Sequence, residues 1–192
     1  QHLGENAAAQ VGIPPQSQFI WPGPMTEPGL RWDTLGDERQ QACDKAEMIL
    51  WGGYCGVHTV FRPEHVIHWQ NEGRRVLVHP ECPKNVVDLA DGFGSTAYLW
   101  DAVENAQPGD RLAIATEGHF VRNAREAAAI RGIDIVHMAD IPDPAMKSMG
   151  CGCATMSRND PPHLVAILDL LRKGEAPDDN RVEAGDAVNE RT

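Results

Sequence analysis

The sequence predicts an α/β protein whose parallel sheets are covered by helices on both faces. Short apolar runs at 48–51, 76–78 and 112–115 alternate along the chain with longer segments of helical spacing. Each of these runs ends at a cluster of polar residues. Parallel sheets bind ligands at the carboxyl ends of their strands. These observations predict a functional site where the polar clusters meet.

Composition narrows the classes of protein to which the chain can belong. It has 192 residues, 42% of them hydrophobic, and a net charge of −11 with 28 acidic against 17 basic side chains. This balance argues against nucleic acid as a partner, because phosphate binding depends on clustered Lys and Arg. No apolar run approaches the roughly 20 residues that span a bilayer, and the N-terminus lacks a signal-peptide pattern. We therefore predict a cytoplasmic protein with no membrane partner.

Residues 1–73 are interpreted as the C-terminal part of one α/β repeat that carries a Pro-rich insertion at about 13–46. The first residue is Gln1 and no strand precedes the first helix, so we expect the chain to begin in mid-fold. The predicted elements are a helix at 3–11, an inserted surface loop at 13–36, a short helix at 37–46, a buried strand at 48–51 and a helix that begins at Pro63 and ends before Gly73.

Residues 74–175 are interpreted as a complete α/β repeat. Residues 176–192 are rich in Asp and Glu and lack hydrophobic periodicity, so we predict a disordered acidic tail. The predicted elements of the repeat are strands at 76–78, 112–115 and 133–136, helices at 83–90, 96–105 and 119–130, and a last helix with Leu164, Ile167, Leu168 and Leu171 on one face.

Two of the polar clusters contain residues suited to chemistry. Cys55 and His58 lie three residues apart in a glycine-rich loop, although a buried structural Cys beside a capping His has the same pattern. His79, Pro80 and Glu81 follow a buried strand, where polar groups without partners would cost about 1–3 kcal/mol each. His79 and Glu81 are therefore candidates for general acid and base.

Two further positions resemble helix starts. Ser95 and Thr96 follow Gly94, and their hydroxyls with free N–H groups favour an anion site for phosphate or carboxylate, with plain capping by Ser95 as the alternative. For Thr116 and Glu117 the capping interpretation is preferred.

The five cysteines are odd in number and irregularly spaced, which favours free thiols or metal ligands over a disulfide framework. Cys151 and Cys153 lie too close together for an unstrained disulfide, so metal or cluster ligation by at least one of them is favoured. Spacing alone leaves two alternatives: an iron–sulfur site held by thiolates, or a zinc site. The zinc ligands would be drawn from Cys55, His58, His79, Cys82, Cys151 and Cys153.

Taken together and in order, these segments resemble the quinolinate synthase family. The resemblance covers about 1–12 and 47–172. Its motifs are Gln1-His2-Leu3-Gly4, Trp51-Gly52-Gly53-Tyr54-Cys55-Gly56-Val57-His58, His79-Pro80-Glu81-Cys82, Ala90-Asp91 with Gly94-Ser95-Thr96, Thr116-Glu117 and Cys153-Ala154-Thr155-Met156.

The resemblance implies an architecture of three α/β repeats around a pseudo-threefold axis, each repeat supplying one Cys to a [4Fe-4S] cluster. It also implies a reaction of NAD biosynthesis, the condensation of iminoaspartate with dihydroxyacetone phosphate to quinolinate, with L-aspartate oxidase as the upstream supplier. Three thiolates on four irons leave one iron open to act as a Lewis acid.

Residue by residue, the resemblance implies Cys55 and Cys153 as metal ligands. His79, Glu81 and, by a weaker match, His58 would be catalytic. His79, Pro80, Glu81, Ser95 and Thr96 would bind substrate.

Two departures from the family pattern carry further hypotheses. The first repeat and its cluster Cys have no counterpart in this chain, so Cys82 or Cys151 is a hypothetical replacement ligand. The Pro-rich insertion at 13–46 is the second departure. The alternative functions are a zinc-binding α/β module and a catalytically silent α/β subunit.

Overall fold

A computed structural model describes residues 1–142, 153, 156 and 160–178. The chain divides into two compact units, Gln1–Gly152 and Cys153–Thr192. Each unit is described by itself. The predicted fold class is confirmed, because every strand pairing in the described residues is parallel and helices connect the strands.

The elements follow the predicted alternation of strand and helix. The six strands are β1 (Gln18–Pro22), β2 (Met48–Gly52), β3 (Arg75–Val78), β4 (Gly92–Phe93), β5 (Arg111–Ala115) and β6 (Asp134–His137). The seven α-helices of the described residues are α1 (His2–Gln10), α2 (Asp37–Lys45), α3 (Pro63–Asn71), α4 (Lys84–Val87), α5 (Thr96–Asn105), α6 (Gly118–Ala129) and α7 (Pro161–Lys173). Single 3₁₀ turns occupy Pro15–Ser17 and Trp32–Thr34.

The larger sheet of the first unit has the strand order β4-β3-β5-β6. The register pairs Leu77 with Ile114 and Ile114 with His137, so the carboxyl ends of these strands lie at one edge. The β-branched and aliphatic sequence of β3 suits a central strand that is buried on both faces. The sheet therefore brings the loops after β3, β4, β5 and β6 to one edge, and two of the three predicted polar clusters, those after β3 and β5, lie there. The third follows β2, which belongs to the smaller sheet and not to this one.

The core lies on both faces of this sheet because successive strand residues point to opposite sides. One face contributes Leu77, Leu112, Ile114 and Ile135 to a cluster with buried residues of α5 and α6. On the other face α3 packs against β3, and Trp69 Nε1 donates to the carbonyl of Met138, just after β6. Helices thus flank the sheet on both sides, which is the predicted three-layer arrangement.

The smaller sheet corrects one expectation. The predicted surface loop at 13–36 contains β1, which pairs in parallel with β2. Strand β1 ends at Pro22 and carries Phe19, Ile20 and Trp21, whose aromatic and β-branched side chains favour a strand. The strand predicted at 48–51 is confirmed. The predicted burial is correct for Leu50 but wrong for Ile49 and Trp51, which are exposed.

Helix α1 covers only the Leu50 side of β2. A Cβ atom on Gly4 would lie 2.5 Å from Leu50 Cδ2, so a glycine lets the helix approach the strand. The opposite face of the two-stranded sheet therefore leaves Ile49 and Trp51 open.

The segment between the two helices predicted at 83–90 and 96–105 contains the two-residue strand β4, which the sequence did not predict. Helix α7 in the second unit confirms the predicted last helix, capped by Asp160 at its start and by Gly174, in the left-handed conformation, at its end. Residues 179–192 lie outside the described residues, so the disordered tail stays a prediction. No helix among the described residues is long and apolar enough to cross a membrane.

Candidate functional site

The candidate site is built around the turn that follows β2. The backbone N–H groups of His58 and Thr59 both donate to the carbonyl of Cys55, at 3.1 and 3.2 Å. This turn places the half-buried Cys55 and the buried His58 on one side of the loop. The prediction that these two residues belong to one loop at a strand end is confirmed.

Glu81 links the loop after β3, which carries it, to the loop after β2, which carries His58. Its Oε2 atom lies 3.0 Å from His58 Nδ1 and 3.8 Å from His79 Nδ1. The two imidazole rings stack at a centroid distance of 4.6 Å. His79 Nδ1 also accepts a hydrogen bond from the backbone N–H of Glu81, at 3.3 Å. The structure thus brings together the three residues that the sequence proposed as catalytic.

Burial keeps the imidazoles neutral near pH 7. The pKa of His58 is lowered to about 4, chiefly by burial and secondly by the adjacent His79, with Glu81 opposing the shift. The pKa of His79 is also lowered, chiefly by burial, with Glu81 opposing the shift. A neutral imidazole has one nitrogen with a free lone pair, so each ring can accept a proton or bind a cation.

Three residues, Phe61, Thr116 and His137, form a chain of contacts around His58; the sequence predicted a cap at Thr116 and no role for the other two. The hydroxyl of Thr116 lies 3.4 Å from His58 Nε2. The backbone carbonyl of Thr116 accepts a hydrogen bond from His137 Nε2 at 2.9 Å. Phe61 lies between the two imidazoles, with ring centroids 6.4 Å from His58 and 5.5 Å from His137. The preferred capping interpretation was correct for Glu117, which accepts the N–H groups of His119 and Phe120, but not for Thr116.

A fourth supporting residue, Asn6 of α1, holds the loop that carries Glu81. Its Nδ2 donates to the carbonyls of Pro80 and Cys82, at 2.8 and 2.9 Å, and the residue is buried. An isolated Asn in an Ala-rich helix carries no sequence signal for this role.

Replacing Asn6 by Ala is expected to destabilise the first unit by about 2 kcal/mol, because two loop carbonyls lose their buried donor. Urea unfolding followed by circular dichroism measures the change. Asn105→Ala is the matched control, because Asn105 also donates to a carbonyl but is exposed at the end of α5. Equal stability of the two variants would contradict the role assigned to Asn6.

The remaining predicted site residues have different surroundings. Ser95 and Thr96 are exposed at the start of α5, which follows β4, the neighbour of β3 in the sheet. Ser95 Oγ accepts the N–H of Tyr98, so the predicted cap is present. Cys153 lies in the second unit, where its Sγ accepts the N–H of Met156. Cys82 is fully buried and its thiol donates to the carbonyl of Ala115 at 3.9 Å, which does not favour it as a replacement ligand. Cys151 lies outside the described residues.

Cys55, His58 and Glu81 offer a sulfur, an imidazole nitrogen and a carboxylate oxygen, and these ligand atoms all lie within 4.8 Å of one another. A cleft of about 410 Å³ adjoins them and is lined by Cys55, Glu81, Tyr54 and Trp51, together with the start of α1. This volume suits a small metabolite. The site can therefore combine proton transfer with ligation of a metal.

Fold and site together define an α/β protein with a candidate site at the carboxyl edge of parallel strands, where Cys55, His58 and Glu81 form a group that could hold a metal ion. The family model described as quinolinate synthetase A protein matches residues 1–191. The chain belongs to this family.

Curated relatives named quinolinate synthase support the assignment. The chain is 35% identical to the protein from Bacillus velezensis over 200 residues, which cover 98% of this chain and 48% of the relative. It is 34% identical to that of Rhodopirellula baltica, covering 95% of this chain and 43% of the relative. It is 36% identical to the protein from Acidobacterium capsulatum, and the match covers 98% of this chain and 46% of the relative. The chain thus spans about half the length of the curated relatives it matches.

Proposed function

We propose that this chain acts in quinolinate synthesis, the condensation of iminoaspartate with dihydroxyacetone phosphate. The balanced reaction gives one quinolinate, one phosphate and two waters. The proposal is supported by the family of the chain and by the names of its relatives. The observation that carries it is the contact of Glu81 with two stacked, neutral imidazoles at the edge of an open cleft.

Glu81 is the proposed general acid and base. Its side chain is about one-third exposed, so it can reach a substrate, while His58, whose Nδ1 lies 3.0 Å from Glu81 Oε2, can exchange protons with it on the protein side. The backbone N–H of Glu81 donates to His79 Nδ1, so the ring proton lies on Nε2, and this Nε2–H can donate to substrate. Forming the pyridine ring requires the removal of two waters, which needs repeated proton transfers of this kind.

The substrate-binding residues in this proposal are His79, Pro80, Glu81, Ser95 and Thr96. The N-terminus of α5 lies after β4, which is the neighbour of β3 in the sheet. Its N–H groups and the exposed Thr96 hydroxyl suit the phosphate or carboxylate of a substrate. The backbone of Pro80 is fixed by Asn6, so the loop keeps its position when substrate binds.

Cys55 and Cys153 are the proposed ligands of a [4Fe-4S] cluster in this chain. Cys55 fits this role because its half-buried thiol borders the cleft, and the adjacent Gly56 has open space where a side chain would stand. When bound, such a cluster with one open iron supplies a Lewis acid for substrate hydroxyl and carbonyl oxygens. Within the described part of the first unit Cys55 is the only thiolate of the site group, so further ligands must join it.

We further propose that L-aspartate oxidase supplies the iminoaspartate and that the protein acts in the cytoplasm. The cysteines of the described residues are free thiols, which suits a reducing compartment. They are Cys43, Cys55, Cys82 and Cys153.

The test is anaerobic reconstitution with iron and sulfide, followed by chromatographic measurement of quinolinate. L-Aspartate oxidase generates iminoaspartate in place, and dihydroxyacetone phosphate is added. We expect bound iron and quinolinate formation, both lost in Cys55→Ser and both retained in Cys43→Ser, whose thiol is buried in α2. Bound iron without quinolinate would overturn the catalytic proposal, and absence of iron would overturn the cluster proposal.

A further inference from the structure

We propose that Thr116 is a positioning residue of the candidate site, whose hydroxyl donates to His58 Nε2 and holds the ring with its Nδ1–H directed at Glu81. The inference rests on the proposed function, because Glu81 is the general acid and base there. It adds a residue that acts through His58 and not on the substrate. It also gives His137 a place in the support of the site.

The contact with Glu81 assigns the proton of the His58 ring. His58 Nδ1 lies 3.0 Å from Glu81 Oε2, and a side-chain hydrogen bond joins the two. A carboxylate only accepts hydrogen bonds, so Nδ1 carries the proton. The other nitrogen of the neutral ring, Nε2, is then an acceptor that requires a donor of its own.

The hydroxyl of Thr116 is that donor. It lies 3.4 Å from His58 Nε2, and both residues are buried. A hydroxyl can donate or accept, and here it donates because Nε2 offers only a lone pair. Buried polar atoms are nearly always hydrogen-bonded, so removal of this hydroxyl would take away the donor that Nε2 has among the described residues.

The backbone of Thr116 is held from its other side by His137. Burial lowers the pKa of His137, so its ring is neutral near pH 7. The N–H of Ala139 donates to His137 Nδ1 at 3.2 Å, which places the ring proton on Nε2. His137 Nε2 then donates to the Thr116 carbonyl at 2.9 Å. The hydrogen bonds therefore run in one direction, from Ala139 through both imidazoles to Glu81.

This support bears on the reaction because Glu81 is a side chain at the edge of a cleft. It is about one-third exposed and borders the cleft, so several rotamers are open to it. A donor held in place at Oε2 restricts that choice and leaves Oε1 for proton exchange with substrate. Proton transfer depends on such geometry, because the acid or base must lie within hydrogen-bond reach of the proton it moves.

The first measurement is ¹⁵N NMR of the histidine rings in the full, metal-free chain at pH 7. His58→Gln identifies the His58 signals by their loss. We expect a protonated Nδ1 and an unprotonated Nε2 in the parent chain. Thr116→Val keeps the shape and the carbonyl of Thr116, so the His137 signals should stay in place. The His58 Nε2 signal should move downfield and the Nδ1–H signal should broaden, and Thr116→Ser should restore both.

The second measurement is the rate of quinolinate formation by the reconstituted protein at equal iron content. Thr116→Val should lower kcat about tenfold with KM nearly unchanged, because the lost hydrogen bond acts through His58. Thr116→Ser should stay within about twofold of the parent. Thr34→Val is the matched control, since it removes an exposed hydroxyl that donates to the carbonyl of Arg31. It should change neither the NMR signals nor the rate.

The two measurements separate this inference from the proposed function. A His58 Nε2 signal that does not move in Thr116→Val would overturn the inference, as would a Thr116→Val rate within about twofold of the parent. A parent chain that makes no quinolinate would overturn the proposed function alone. The NMR signals would then still decide whether Thr116 positions His58 against Glu81.

Discussion

Replacing Glu81 by Gln is expected to lower the rate of quinolinate formation about 10²- to 10⁴-fold, the usual contribution of a positioned acid or base. The amide has the shape of the carboxylate but cannot take or give a proton near pH 7. Glu81 is the only carboxylate that contacts His58 and His79 in the described residues. The measurement is the steady-state rate of the anaerobically reconstituted protein, compared at equal iron content.

Glu126→Gln is the matched control, because it makes the same chemical change at an exposed position on α6. It should leave the rate unchanged. A Glu81→Gln protein that keeps its iron and works within about twofold of the parent would remove Glu81 from the proton-transfer role.

Replacing Phe61 by Ala is expected to lower the free energy of unfolding by about 3–5 kcal/mol. Phe61 is 1% exposed and is the largest fully buried side chain of the described residues. The cavity would lie between His58 and His137. Guanidinium unfolding measures the loss, which is a large fraction of the stability of an ordinary domain.

Phe61→Leu is the control for volume, with an expected loss below about 1.5 kcal/mol. A second readout is the pKa of His137, which burial lowers. Water entering the cavity in Phe61→Ala should raise this pKa toward its ordinary value, as followed by NMR of the ring protons. An unchanged unfolding midpoint together with an unchanged His137 pKa would show that Phe61 does not fill the space between these rings.

The sequence predicted the larger sheet well because its strands are short apolar runs that end at polar residues. Val76, Leu77 and Val78 illustrate this pattern, and His79 follows them at once. Parallel pairing then follows from the helices between strands, so the predicted meeting of the loops after β3 and β5 is confirmed. The local sequence pattern is sufficient to predict a strand where a short apolar run ends at polar residues and helices separate it from the next run.

Local pattern failed where the segment itself carries a masked or very short strand signal. The aromatic run of β1 was hidden by Pro15 and Pro22, and its partner β2 lies 30 positions later in sequence number, from Gln18 to Met48. The two-residue strand β4 is too short to have a period. In both cases the partner strand, and not the segment itself, decides the structure.

The site was predicted in part for the same reason. Cys55, His58, His79 and Glu81 stand out because reactive side chains follow strands. Thr116 and Asn6 do not, because a hydroxyl at a strand end and an amide in a helix have many ordinary uses. Only the tertiary contacts show that Thr116 supports one imidazole through its side chain and another through its carbonyl.

The two hydrogen bonds of Asn6 also bear on how the protein acquires its site as it folds. They join residues separated by 74 and 76 positions, whereas the hydrogen bonds within α1 are local. Contacts between distant parts of a chain form slowly, because closing a long loop costs entropy before any contact compensates for it. During synthesis, Cys55 and His58 leave the ribosome well before Glu81 and Thr116. A nascent chain therefore presents these groups separately, and we expect the docking of α1 on the loop after β3 to accompany their meeting.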